Sequence, residues 1–166
     1  MKIHSRIFLV GFMGSGKTTV GHALAERLAY RFVDLDEAIE ARAGKSIREI
    51  FQDSGEGEFR RLEREVIESC GKFDQVVIAL GGGAYESEAN RATLSLLGRT
   101  VWLNCPLEIC LERVAGDPSR PLLGRSHEMK LLLERRRPNY ALADYAVEVG
   151  SRIPGQIVDE IVNLFR

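Results

Sequence analysis

The chain has 166 residues, 45% of them hydrophobic, enough for one compact domain whose core needs neither disulfides nor a structural metal. Lys and Arg (23) nearly balance Asp and Glu (24), so no overall field points to nucleic acid or to a membrane surface. Three cysteines, Cys70, Cys105 and Cys110, lack CxxC or metal-ligand spacing, which fits buried thiols in a reducing cytosol.

The apolar run at residues 7–10 is broken at once by Gly11, Gly14, Gly16 and Lys17, with no small-residue cleavage site behind it. It therefore reads as a buried strand and not as a signal peptide. No other stretch approaches the ~18 apolar residues of a membrane span, so a cytoplasmic protein is expected. A helical pattern at 17–30 leads to a short strand at 31–33, then to helical patterns at 37–43, 47–53 and 58–70, punctuated by Gly44 and Gly55. Residues 76–80 form the clearest buried strand; a helix at 86–97, a strand at 100–104 and a helix at 107–114, entered through Pro106, follow. Between 115 and 127 the periodicity fails among Gly116, Asp117, Pro118, Pro121 and Gly124, which predicts a mobile loop. A helix at 128–143, a strand at 145–149 and a helix opening at Pro154 complete the chain. Alternating strands and helices predict an α/β fold in three layers, αβα, around a five-stranded parallel sheet, with 1–166 as a single domain.

Gly11-Phe12-Met13-Gly14-Ser15-Gly16-Lys17-Thr18 lies between the first strand and the first helix, the setting in which a phosphate-binding loop works. The glycines let successive backbone N–H groups turn inward around phosphate oxygens, and the helix N-terminus adds its positive dipole end. Lys17 is then placed to reach the β- and γ-phosphates of a nucleotide, and the Thr18 hydroxyl to ligate Mg2+. The bland alternative is a glycine turn with an incidental lysine.

On the acceptor side, the second strand ends in Asp34-Leu35-Asp36, next to the phosphate loop if the sheet is parallel. At i and i+2 on an extended chain the two carboxylates share a side, one to support Mg2+ and one to take a proton from an acceptor hydroxyl. Asp36 as a mere helix cap is the competing reading. Arg60, near a helix start that disfavours cations, either meets a ligand anion or stays solvated against Glu63 at i+3. Gly81-Gly82-Gly83, after the strongest strand, is either bare backbone for close ligand approach or a generic turn.

Taken together, the GxxGxGKTTVG run at 11–21, Asp34-x-Asp36, the GExxFRxxE run at 55–63, Gly81-Gly82-Gly83, Arg120-Pro121-Leu122-Leu123 and Arg136 four residues before Tyr140 resemble the shikimate kinase family. The resemblance spans nearly the whole chain. It implies a P-loop NTPase fold of the nucleoside monophosphate kinase type, with shikimate-binding helices at about 34–63 and a mobile lid at about 115–127. The implied reaction moves the γ-phosphate of ATP, with one Mg2+ ion, to the 3-hydroxyl of shikimate on the route to chorismate and aromatic amino acids. The resemblance assigns nucleotide contacts to Gly14, Ser15, Gly16, Lys17, Thr18, Thr19, Arg113, Arg120 and Arg152, with Lys17, Asp36 and Arg120 catalytic. Thr18 and Asp34 would support the ion, and Pro154 and Arg113 would flank adenine. It gives Asp36, Arg60, Gly81, Gly82, Gly83 and Arg136 to shikimate, with Arg136 in register in preference to the adjacent Arg137. The residue before Tyr140 is Asn139 where that family usually has leucine.

Gluconate also carries vicinal hydroxyls and a carboxylate, so a gluconate kinase is the nearest rival, with a nucleoside monophosphate kinase beside it. A GTPase switch lacks an Asn-Lys-x-Asp sequence to read guanine, and a catalytically dead nucleotide binder would have no need for Lys17, Thr18, Asp34, Asp36 and Arg120 together. Small-molecule substrates, no nucleic-acid or membrane partner, and a monomer are expected.

Overall fold

A computed structural model describes residues 4–115 and 126–166. Five strands, β1 (Arg6–Val10), β2 (Arg31–Asp34), β3 (Val76–Ala79), β4 (Arg99–Asn104) and β5 (Tyr145–Glu148), form one all-parallel sheet in the order β2-β3-β1-β4-β5. Strands covered on both faces have no reason to alternate, and β3 is buried along its whole length, as are the last four residues of β1. Seven α-helices are described: α1 (Lys17–Leu28), α2 (Leu35–Ala43), α3 (Ile47–Ser69), α4 (Glu88–Leu97), α5 (Leu107–Ala115), α6 (Ser126–Tyr140) and α7 (Pro154–Leu164). Right-handed crossovers put α1 on one face and α3 and α4 on the other, and α7 returns to pack against α1 and β5. The αβα layering and the five parallel strands agree with the sequence expectation. No helix among the described residues is long and apolar enough to cross a membrane.

α3 carries the helices expected at 47–53 and 58–70 as two segments divided at Gly55, the expected punctuation, whose φ of 80° and ψ of 178° are non-helical and favour a residue without a Cβ. Its start is set by a capping box, in which the Ser46 hydroxyl accepts from Glu49 N and Glu49 Oε2 accepts from Ser46 N. The helix expected from 37 begins at Leu35, because Asp34 is the cap: its Oδ1 accepts from Asp36 N at 2.9 Å and Glu37 N at 3.2 Å. The helix expected to run to 143 stops at Tyr140, and tight turns take over as Leu142 N donates to Asn139 O and Ala143 N to Tyr140 O. Of the loop expected at 115–127, Ala115 ends α5 and residues 126–127 open α6; the remainder lies outside the described residues.

Strand order positions the functional segments. β1 lies between β3 and β4, and the first crossover leaves it in one direction while the later ones travel in the other. The carboxyl end of β1 is therefore a switch point with a crevice beside it. Register brings Leu9 of β1 and Asp34 of β2 level with Ala79 of β3. The loops after β1, β2 and β3 consequently open onto one place.

Candidate active site

The phosphate loop follows β1 and leads into α1. Gly14 and Gly16 have φ of 76° and 96°, and a Cβ on Gly14 would stand 2.7 Å from the Cys110 carbonyl oxygen of α5. Gly16 precedes α1 with no side-chain cap and no acidic residue in the first turn, so the helix N-terminus stays available to an anion. Lys17 Nζ donates to Gly11 O at 2.7 Å and Phe12 O at 2.9 Å, bracing the loop. Arg113 Nη1 reaches Gly14 O at 3.1 Å from the last turns of α5.

The two aspartates stand differently from the extended i, i+2 picture. Asp34 ends its strand and caps α2, while Asp36 sits in the first turn of that helix. They nevertheless line one cavity. Thr18 Oγ1 donates to Asp34 Oδ2 at 3.4 Å, which sets a hydroxyl and a carboxylate beside the phosphate loop. These hard oxygens are the donors that Mg2+ prefers when it keeps waters and phosphate oxygens as its other ligands. Helix capping belongs to Asp34, which leaves the Asp36 carboxylate over the glycine turn: a Cβ on Gly81 would meet Asp36 Oδ1 at 2.9 Å.

Gly81, Gly82 and Gly83 form a floor under charged side chains. A Cβ on Gly83 would lie 2.7 Å from Arg60 Nη2 and 3.0 Å from Arg136 Nη2, and one on Gly82 would lie 3.1 Å from Arg136 Nη1. Two guanidiniums thus converge on one point, and only glycine leaves room for them. Arg60 Nη1 donates to Glu63 Oε1 at 2.9 Å, and Arg136 Nε to Glu86 Oε2 at 3.3 Å. Burial raises the pKa of Glu63 while Arg60 pulls against it, and its Oε2 has no hydrogen-bond partner among the described residues. Burial disfavours the Arg60 cation, but Glu63 and Glu56 more than offset this and raise its pKa. Tyr140, one turn beyond Arg136, donates its hydroxyl to Gly82 O at 2.6 Å and ties α6 to the floor.

Except for Glu56, Glu86 and Tyr140, the side chains just described line one cavity of about 780 Å³. Its donor end is lined by Gly14, Gly16, Lys17, Thr18, Thr19 and Arg113, and its acceptor end by Asp36, Arg60, Glu63, the three glycines and Arg136, with Asp34 between. Arg137 is exposed and borders a separate groove, so of the adjacent arginines it is Arg136 that enters the cavity. Ser15 is buried beneath the loop and does not line the cavity. Arg152 is not brought to it either: its guanidinium is committed to Glu160 at 2.6 Å and to the carbonyls of Glu148 and Gln156. Arg120 lies outside the described residues.

A family model described as shikimate kinase matches residues 13–166. The chain belongs to the shikimate kinase family. It is 45% identical to a shikimate kinase of Persephonella marina over 96% of this chain and 98% of the relative. A shikimate kinase of Aquifex aeolicus is 42% identical over 95% and 94%. Among solved structures, the shikimate kinase of Acinetobacter baumannii in complex with shikimate superposes with a TM-score of 0.90 at 38% identity, covering 96% of this chain and 92% of that one. A gluconokinase from Sinorhizobium meliloti shares the fold alone, at 19% identity and a TM-score of 0.61 over 97% and 91%.

Shikimate kinase membership leaves some lining residues that sequence reasoning had not singled out. Ile47, Phe59 and Met13 supply apolar wall; their helical or loop positions gave no sign that they face a cavity and not the core. Glu86 was missed altogether, because nothing about a glutamate three residues after a glycine turn marks it as an arginine partner.

Proposed function

We propose that this chain transfers the γ-phosphate of Mg-ATP to the 3-hydroxyl of shikimate, yielding shikimate 3-phosphate and ADP on the route to aromatic amino acids, as a monomer in the cytoplasm. The observation that carries the reading is the convergence of Arg60 and Arg136 over Gly83, with the Asp36 carboxylate over Gly81 in the same cavity as the phosphate loop. A guanidinium pair is the natural receptor for a carboxylate, and an aspartate a short way off for a hydroxyl.

The chemistry asks little covalent work of the protein. Phosphoryl transfer passes through a loose transition state, so alignment and charge neutralisation dominate. Arg60 and Arg136 anchor the acceptor by its carboxylate, which leaves its ring hydroxyls against Asp36. Asp36 orients the 3-hydroxyl oxygen in line with the γ-phosphorus and takes its proton as the new P–O bond forms. Lys17 leaves the carbonyls of Gly11 and Phe12 to reach the phosphates, and the loop N–H groups hold the leaving ADP. Thr18 and Asp34 would hold Mg2+, which would supply neutralisation of phosphate charge when bound with ATP. Arg113 lies along the nucleotide. Arg120, on the lid proposed at about 115–127, adds charge and closes the site against water.

The test is acceptor-dependent ADP release from Mg-ATP with shikimate, gluconate and a set of nucleoside monophosphates. Stimulation by shikimate well above the others is expected; stimulation by gluconate or a nucleotide in its place would overturn the assignment.

A further inference from the structure

We propose that Glu86 is a positioning residue for the acceptor, acting through Arg136, an inference that rests on the shikimate kinase reading above. A guanidinium has an Nε edge and an edge formed by its two Nη groups, and only one of them can face a ligand carboxylate in a forked pair. Glu86 Oε2 takes the Nε–H of Arg136 at 3.3 Å. The Nη1 and Nη2 atoms are then the ones that lie over Gly82 and Gly83, toward the cavity. Glu86 thus selects which edge of Arg136 is offered.

Three further observations support this role. Arg60 and Arg136 both bring an Nη2 atom within about 3 Å of the position a Gly83 Cβ would take, so the two cations repel until an anion arrives. Arg60 is steadied by Glu63, and Glu86 is the corresponding counter-charge for Arg136. The pair is sheltered: the Arg136 side chain is 10% exposed and Glu86 26%, which protects it from the screening that weakens surface ion pairs. Finally, Glu86 closes the short 3-10 turn Ala84–Glu86 that directly follows the glycine floor. Arg91 donates to the carbonyls of Tyr85 and Glu86 at 2.8 and 2.9 Å, so the backbone that carries the carboxylate is tied down beside that floor. The second carboxylate oxygen binds Arg135 Nε at 3.2 Å, giving α6 two attachments to one side chain.

Electrostatics alone predicts the opposite sign, because an anion beside the cavity repels an incoming carboxylate. The test is steady-state kinetics of Glu86→Ala, Glu86→Gln and Glu86→Asp, with Glu86→Ala also made on an Arg136→Ala background. We expect Glu86→Ala to raise the KM for shikimate about tenfold, the equivalent of ~1.4 kcal/mol, with the KM for ATP and kcat nearly unchanged. Glu86→Gln, which keeps an acceptor oxygen, is expected to rise less, and Glu86→Asp to recover part of the loss. On the Arg136→Ala background the Glu86 substitution should add nothing. An unchanged or lowered shikimate KM in Glu86→Ala or Glu86→Gln, a parallel rise in both KM values, or a further loss on the Arg136→Ala background would overturn the inference. Wild-type enzyme that ignores shikimate would overturn the functional reading and this inference together; wild-type turnover with indifferent Glu86 variants overturns the inference alone.

Discussion

The two ends of the cavity are built from different materials. At the donor end the work falls to backbone: glycines with positive φ, an uncapped helix N-terminus, and a lysine and an arginine that meanwhile rest on loop carbonyls. At the acceptor end it falls to side chains from α2, α3 and α6, each held by another side chain or by the glycine floor. A backbone cradle suits a ligand part common to all nucleotides, whereas a carboxylate and a diol demand placed charges. Under the proposed function, specificity resides at the acceptor end and phosphate chemistry at the donor end.

Substitutions at the two ends should separate in kind. Lys17→Ala is expected to have the largest effect, lowering kcat about a thousandfold, while calorimetry finds shikimate binding near wild type; loss of shikimate binding as well would blur the division. Asp36→Asn should lower kcat by a factor of about 10²–10³, the usual contribution of a positioned general base. Nucleotide binding should persist, and near-normal turnover would remove Asp36 from its role.

Gly83→Ala sharpens the comparison because it acts on the acceptor end without deleting any charge. Its Cβ would displace the flexible ends of Arg60 and Arg136 and no backbone, so the protein should fold normally. The KM for shikimate should nevertheless rise about tenfold, a misplacement effect, with that for ATP unchanged; equal effects on both would show that the glycine floor serves the whole cavity. The smallest change is expected from Tyr140→Phe, which removes a hydrogen bond to the half-buried Gly82 carbonyl, at a cost of about 1 kcal/mol. Burial pushes the Tyr140 hydroxyl up to about 12 from an ordinary 10.0. The folded state therefore holds this proton more tightly than the unfolded one, and the associated stability is complete below pH 10 and lost as pH rises through about 12. Melting temperatures of Tyr140→Phe should fall less steeply across that window than those of the wild type.

The same contrast explains what the sequence made legible. The phosphate loop is contiguous, and its glycines, lysine and flanking elements are written in order, so composition and spacing sufficed. Asp34 and Asp36 were recognised as a pair, but the helix cap was weighed at Asp36 and found at Asp34, because capping of α2 depends on where the strand stops. Arg60 with Glu63 was visible as an i, i+3 spacing, and Arg60 pairs with Glu63 while also lining the cavity. Arg136 came from family resemblance alone, and Glu86 from neither source. Their meeting depends on a contact across 50 positions of sequence, which no local pattern encodes. The parallel sheet and its strands were legible because buried apolar runs between turn residues admit few alternatives. The break at Gly55 was legible as punctuation between two helical patterns, whereas the end of α6 at Tyr140 was not, because tight turns continue the helical hydrogen bonding to residue 143.

The central claim is that Arg60 and Arg136 form a receptor for the acceptor carboxylate. The most direct measurement compares kcat/KM for shikimate and for its neutral methyl ester in the wild type and in the Arg60→Ala, Arg136→Ala double variant. The wild type should prefer the acid by about a hundredfold or more, the worth of a charge-assisted pair of hydrogen bonds, and the double variant should lose nearly all of that preference. Equal turnover of acid and ester by the wild type would contradict the account.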